Sequence, residues 1–451
     1  MNNTGMYDLE RAGGVAYPET EKYDYNKWYT TMGMTDGGAY KAIRFDVRQD
    51  NLLLHWRNSY LELRGQLVKK ADGTAFGEND LITLIHNAIP HMFSNVKLSI
   101  GSKTVENVDH PGHVSSLIYN ILYDRSKGKC DGLQFMWFPD TAGGADGHDE
   151  TKNKGFAVRR KYLMLSSTTR GKFKLRLPLH MLFGFMENFV ALKGYPVEVE
   201  LIRGADYPAI FRRKAGQHVA VEGKLKFDEI LLNVPIVDPA TNIRVEYLKG
   251  INDPRSYLYS FRERHGMFAP VPANIRDFQQ PIASTFFTER PQMIWVGFQA
   301  TALTDQSFNH ALYSNENVET AHIMMNNTQF PANKFKADWS ENNNGFFYEM
   351  QNHMRANYLQ TSSCYSEGNM LTPANFKSLY TIYCFDVSKH EMTVGSNTVT
   401  CDLHVYFKTP TQANLRVYIA WFNDRTLELY TDGKPLTIRR EIENYVDMDS
   451  D

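Results

Sequence analysis

The sequence predicts an all-β protein built from two tandem sandwiches. Three observations carry this. Short segments of alternating apolar residues recur along the chain, separated by Gly, Asn, Asp and Pro turns. Helical periodicity is confined to two stretches. One order of parts, a hairpin, a helix, a polar loop and then three strands, occurs once in each half.

In the first half, Ile43, Phe45 and Val47 alternate with Arg44, Asp46 and Arg48. Leu61 and Leu63, continued by Leu67 and Val68, form a second run. Val96, Leu98 and Ile100 form a third, which Gly101-Ser102 turns into Thr104-Val105. Phe173, Leu175 and Leu177 alternate with Lys172, Lys174 and Arg176. Val197, Val199 and Leu201 alternate with glutamates, and Leu225, Phe227, Ile230 and Leu232 close the half. The pattern breaks at Pro235-Ile236-Val237-Asp238-Pro239, with a short helical stretch expected through Tyr247. Strands resume over 281–288, 293–299, 322–325, 379–387, 399–407 and 415–422, the last continuing to Leu427, Leu429 and a Thr431-Asp432-Gly433 turn.

Helical spacing places Val114, Leu117, Ile118, Ile121 and Leu122 on one face of 113–123. It does the same for Phe347, Met350, Met354 and Tyr358 in 346–358. Both read as core-packing helices. Eight or so short strands per copy suggest two tandem eight-stranded jelly-roll sandwiches with short helical insertions, although periodicity does not separate jelly rolls from other sandwiches. The expected division is an N-terminal arm (1–39), a first roll (40–237), a linker (238–250), a second roll (251–436) and an acidic C-terminal tail (437–451).

Bulk properties agree. A chain of 451 residues suits two domains of about 200 each. Lys and Arg number 49 against 51 Asp and Glu, and no basic arm is present, which speaks against genome packing by this chain. No apolar run reaches the roughly 18 residues of a membrane span, and no signal peptide opens the sequence. The expected site of folding is the cytosol, with nuclear import open. Cys130, Cys364, Cys384 and Cys401 form no C-x-x-C pair; Cys384 and Cys401 are expected as reduced core thiols, with a disulfide as the alternative.

Sites of chemistry are sparse. The sequence holds no phosphate-binding G-x-x-x-x-G-K-[ST], no G-x-S-x-G elbow and no H-E-x-x-H. His148-Asp149-Glu150 sits in the Gly-rich stretch Thr141–Glu150 and reads as solvated, flexible loop. His86 and His91 flank Pro90 at a spacing of five, unsuited to a helix-face metal pair. His110-Pro111-Gly112-His113 reads as a helix-entry turn, and His404 as a lone strand histidine. Arg159-Arg160-Lys161 and Arg212-Arg213-Lys214 read as subunit contacts or solvated charge. Trp295, Trp421 and Phe286-Phe287 read as core or interface aromatics. No catalytic, cofactor-binding or metal-binding residue is assigned, and no cofactor.

Four stretches carry a resemblance. Ser378–Val387 (SLYTIYCFDV), Cys401–Phe407 (CDLHVYF) and Asn414–Trp421 (NLRVYIAW) resemble the closing strands of double jelly-roll major capsid proteins. Phe93–Gly101 (FSNVKLSIG) resembles a hairpin of that family's first roll. The kind is that of Polinton/Maverick elements, adintoviruses and, more distantly, virophages, and the likeness runs from 40 to 436. It implies a structural protein, not an enzyme. Such chains form homotrimers with a pseudo-hexameric outline, which tile an icosahedral shell around double-stranded DNA. The partners implied are neighbouring capsomers, penton and minor capsid proteins, with packaging left to a separate ATPase and no sequence-specific nucleic-acid binding. The implied location is the virion capsid, after synthesis in the host cytoplasm and assembly there or in the nucleus. Loops 124–169 and 300–318 are expected at trimer contacts or on the outer surface, and the termini at inter-capsomer or inner-face contacts. The rival readings are a receptor- or carbohydrate-binding β-sandwich protein, a cupin- or glycosidase-like enzyme, and a single jelly roll with an insertion.

Overall fold

Alternation in the sequence becomes alternation in burial. Val399, Cys401, Leu403, Val405 and Phe407 are buried along one strand, while Thr400, Asp402, His404 and Tyr406 are not. The computed structural model describes residues 20–29, 41–48, 53–124, 126–165, 168, 170–187, 191–192, 195–213, 221–239, 256–285, 290–300, 305–361, 371–389, 399–430 and 437–440.

Sixteen strands build the two rolls. The first has β1 (Thr20–Tyr29), β2 (Ala42–Val47), β3 (Tyr60–Lys69), β4 (Phe93–Ile100), β5 (Lys103–Asp109), β6 (Lys172–Pro178), β7 (Val197–Arg203) and β8 (Gly223–Pro239). The second has β9 (Ser256–Val271), β10 (Asp277–Thr285), β11 (Pro291–Ala300), β12 (Val318–Met325), β13 (Thr328–Phe330), β14 (Ile382–Asp386), β15 (Val399–Phe407) and β16 (Leu415–Tyr430). The first roll pairs them as β1-β8-β3-β6 and β2-β7-β4-β5. The second pairs them as β9-β16-β11-β14 and β10-β15-β12-β13. Adding eight to each label of the first roll gives the second. Every one of these pairs is antiparallel, and four-on-four pairing in this order is the jelly roll. Shorter strands are appended, among them Leu53–His55 beside β8 and Thr437–Arg440 beside β16.

Each roll inserts a helix after its hairpin: α1 (Pro111–Leu122) follows β5, and α3 (Gly345–Leu359) follows β13. Between α1 and β6 lies α2 (Lys154–Leu163), whose N-cap Asn153 accepts the Phe156 N–H. Three differences from expectation stand out. Residues 20–29, read as part of an arm, are a strand paired with Leu231–Pro239. The sixteen-residue β9 was not anticipated, because Glu263-Arg264-His265 interrupts its apolar alternation. Thr141–Glu150, expected to be flexible, forms a 3-10 turn at Gly144–His148 and is followed by α2. The helical stretch expected through Tyr247, the turn at Thr431, the pair Phe286-Phe287, Cys364 and most of the arm, linker and tail lie outside the described residues.

The interior divides into two apolar clusters. The second fills the space between the sheets of the second roll, with Ile294, Val296, Phe298, Val405 and Ile419. The first fills the first roll and then continues onto the outer face of the β9-β16-β11-β14 sheet, taking in Met293, Trp295, Ala420 and Phe422. That explains the almost unbroken burial of β11: one face packs into its own roll and the other onto the neighbouring roll.

Candidate functional site

Where the rolls meet, the seam is held by buried polar groups. The outer face of the second roll's sheet receives α1. Leu117 lies over Gly297, Val114 over Gly266, and the His113 ring stacks on Tyr418 at 3.5 Å and 16°. A Cβ on Gly297 would stand 2.4 Å from Tyr313 and 2.9 Å from Leu117, so glycine is required by close approach.

Glu106 on β5 is fully buried. Its carboxylate accepts backbone N–H groups from Gly184 (2.9 Å), Phe185 (3.1 Å) and Arg264 of β9 (2.9 Å). Burial pushes this carboxyl up to about 7, against the Arg264 guanidinium and the three donors. Arg264 is buried as well. It donates to the His180 carbonyl and the Tyr119 hydroxyl and pairs with Glu187, which also accepts from Tyr358 of α3 at 2.6 Å.

A second cluster lies in the insertion before α2. Asp140 and Arg159 form a fully buried ion pair at 2.7 Å. Asn153 and, from the second roll, Asn309 donate to Asp140 at 2.8 and 3.0 Å, and the Asp140 N–H donates to the Tyr380 hydroxyl at 2.7 Å. Buried charge survives here because both carboxylate oxygens of Asp140 accept hydrogen bonds and the pair is in direct contact.

Histidines line the seam beside these pairs. His86 Nε2 bonds Asn120 Oδ1 and His91 Nε2 bonds Ser116 Oγ, each at 3.0 Å, and His113 Nδ1 bonds the Tyr313 hydroxyl at 3.1 Å. Burial depresses His86 and His91 to about 3, His310 to about 4 and His113 well below its usual value. They are neutral at physiological pH. Among the described residues no group of three or more His, Cys, Asp or Glu is placed to hold a metal ion.

Several residues lie elsewhere than the sequence reading placed them. Arg159, taken for surface charge, is the buried partner of Asp140. Arg160 reaches Glu150 at 2.9 Å, and Arg212 lies near Glu222 and Asp305. His148 donates to the Arg212 carbonyl and stacks on Phe211, while Asp149 accepts from Thr151 and Glu150 faces Arg160, so the three do not converge. His110-Pro111-Gly112-His113 enters α1 as expected, with His113 buried. His404 is not alone: it stacks on His322 across the β12–β15 pair at 5.1 Å. Cys384 and Cys401 are buried free thiols and Cys130 is an exposed one. Trp295 is core, and Trp421 stacks on His265. The insertion 124–165 turns inward at Asp140 onto the second roll. Sequence reasoning missed Glu106, Asp140 and Arg264; an acid next to apolar residues, Glu106 after Val105 and Asp140 after Phe138-Pro139, was the available signal, whereas Arg264 lies in the charged run Arg262–His265 and gave none.

Two of the outer surfaces among the described residues carry distinctive chemistry. One is the outer face of β1-β8-β3-β6. There Glu62 gathers Arg64, Lys174 and Arg176, and Lys172 and Lys226 stand exposed on either side of Gln66. The other is an apolar groove along α3, lined by Phe330, Pro331, Phe335, Phe346 and Met350, in which Phe335 stacks on Phe346 at 3.6 Å.

The description of one family, the double jelly roll-like domain, matches residues 149–427. No curated protein matches the chain by sequence. Among solved structures, a chain of the Sputnik virophage is similar with a TM-score of 0.62 at 11% identity, over 97% of this chain and 92% of that one. The mavirus major capsid protein is similar with a TM-score of 0.53 at 10% identity, over 95% and 91%. The Faustovirus major capsid protein gives 0.53 at 9% identity, over 91% and 90%. What is shared at such identities is the fold.

Proposed function

Because the chain belongs to the double jelly roll-like domain family, we propose that it is a viral major capsid protein, a structural and non-catalytic unit that associates as a homotrimer. The observation that carries this is the exact repeat of strand order in two rolls locked by a buried seam. Two similar rolls in one rigid chain give three chains a six-sided outline, a shape that tiles a shell. In this reading the two rolls run over 20–239 and 256–430, the first taking in the strand Thr20–Tyr29 that the sequence reading left in the arm.

Other features support it. Glu106, Arg264, Asp140 and Arg159 are held across the seam by hydrogen bonds and ion pairs, which serves rigidity. A formal net charge of −2 suits a wall better than a genome-condensing protein. Two relatives of the same fold are named as major capsid proteins. Polinton-type origin, icosahedral tiling around double-stranded DNA, contact with penton and minor proteins, and residence in the virion capsid belong to the same proposal.

Size-exclusion chromatography with light scattering tests it. The expected mass is about 156 kDa, three times 51.9 kDa. A monomer at micromolar concentration, above all one that binds glycans, would overturn the reading in favour of a carbohydrate-binding sandwich.

A further inference from the structure

The outer face of the β10-β15-β12-β13 sheet carries chemistry that the capsid reading does not use. Along β15 the core takes Cys401, Leu403 and Val405, so Asp402, His404 and Tyr406 stand on the other side. Along β12 the core takes Ala321, Ile323 and Met325, which leaves His322 and Met324 on that same outer face. Register sets His322 directly opposite His404, with Met324 opposite Asp402 one step along. On its other flank His404 is paired with Gln279 of β10.

The two imidazoles lie 5.1 Å apart at 19° to each other. Directly opposed residues of an antiparallel pair have Cβ atoms about 4.5–5.5 Å apart, so both rings start from one short span of backbone. His322 is 8% exposed, and its Nδ1 is buried without a hydrogen-bond partner. Such an orphan is uncommon, because buried polar atoms are ordinarily bonded. Burial holds this imidazole down to about 4, helped by Lys334 and then by His404, so it is neutral at physiological pH and keeps a nitrogen lone pair. His404 is half-buried, and its ring has room to tilt towards its neighbour.

We propose that His322 and His404 form a two-histidine site for a late first-row divalent cation, with copper(II) bound most tightly. An imidazole nitrogen sits about 2.0–2.1 Å from such a metal, which sets the two nitrogens roughly 3 Å apart. A tilt of the His404 ring reaches this from the stacked arrangement. Imidazole suits copper, nickel and zinc, whereas magnesium and calcium take oxygen ligands, and copper(II) leads the order of affinity. Among the described residues no third His, Cys, Asp or Glu joins the pair, so water fills the remaining positions. Asp402 on the same face draws a cation in, and Lys334 opposes it. A metal held in this way clips β12 to β15. It favours the folded chain, because unfolding separates the two rings. The site needs one chain only, so the inference stands apart from the capsid reading.

The test titrates the full-length chain, stripped of metal by chelation and dialysis, with copper(II) in a glycine buffer that competes away weak sites. It reads bound equivalents together with the electron paramagnetic resonance spectrum. The wild-type chain is expected to bind one equivalent with nitrogen hyperfine structure from two imidazoles. Loss of an outer-shell partner costs a metal site about tenfold or more, and loss of a ligand should cost no less. His404→Ala is therefore expected to weaken that equivalent at least tenfold and to remove the two-imidazole spectrum. His353→Ala, at an exposed position on α3, is expected to leave both readouts unchanged, and Lys334→Ala to tighten binding. Hydrogen exchange of the wild-type chain, which needs no variant to fold, is expected to slow in β12 and β15 on adding nickel(II) and to stay level in β9. A wild-type chain with no saturable equivalent, an equivalent that survives His404→Ala with its spectrum intact, or protection that bypasses β12 and β15 would overturn the site.

Discussion

Glu106 of the first roll accepts the backbone N–H of Arg264 in the second at 2.9 Å, so one buried carboxylate stitches two sandwiches together. It accepts two further N–H groups, from Gly184 and Phe185. Truncation by Glu106→Ala strands three buried donors and is expected to cost about 3–5 kcal/mol, whereas Glu106→Gln, which keeps one acceptor, costs about 1–2. Urea denaturation followed by tryptophan fluorescence measures both. Equal small losses for the two variants would remove Glu106 from the account of the seam.

The Asp140–Arg159 pair gives a second prediction. Asp140→Ala leaves Arg159 buried and unpaired and is expected to cost about 3–5 kcal/mol. The exposed Lys152–Asp146 pair is the control: Lys152→Ala is expected to change stability by less than about 0.5 kcal/mol. Similar losses from both would mean that burial of the first pair has no energetic consequence.

Acid is expected to destabilise the fold through the seam. The unfolded chain protonates His86, His91, His113 and His310 below about pH 6.5. The folded chain resists until about pH 3 at His86 and His91 and about 4 at His310, with His113 also depressed. Arg159 beside His86 and Arg416 beside His113 and His310 add to the resistance, while Asp140 and Asp305 oppose it more weakly. The unfolded state thus binds more protons between those limits, so stability falls as pH drops from 6.5 towards 4. Glu106 runs the other way. Its folded value of about 7, against an ordinary 4.5, favours the folded state on acidification and offsets one histidine of the four. Three net protons from these groups correspond to about 4 kcal/mol per pH unit, and His55, His180 and His322, each depressed by burial to about 4, act in the same direction. Urea midpoints at pH 7.5, 6.0 and 5.0 check this; a midpoint that stays level would contradict it.

Gly266 of β9 tests the closeness of the seam. A Cβ there would stand 2.4 Å from the Asp109 carbonyl, which is backbone and cannot swing aside, and 2.4 Å from Val114. Gly266→Ala is expected to cost about 1–3 kcal/mol. Hydrogen exchange should rise in α1 and β9 more than in β15, and a uniform change across the chain would contradict local crowding.

Much of this architecture was legible in the sequence because strands with one solvent face advertise themselves. Val399–Phe407 was placed residue for residue, and the two core helices to within two residues at each end. The seam was harder. Glu263-Arg264-His265 hid β9, because Arg264 is satisfied by the other roll while Glu263 and His265 find Arg425 and Trp421 on the paired strand β16. Arg159 looked like one of three surface cations, and its burial depends on Asp140, nineteen residues away, and on Asn309 from the other roll, which bonds Asp140. His322 and His404 are partners by strand register, which no local spacing encodes. The sequence pattern reported the sheets; the contacts between sheets required the fold.

The most direct test of the central claim is class averaging of the purified protein by electron microscopy. The account predicts three-fold particles with six lobes of similar size arranged around a ring. Isolated two-lobed particles at assembly concentrations would contradict it.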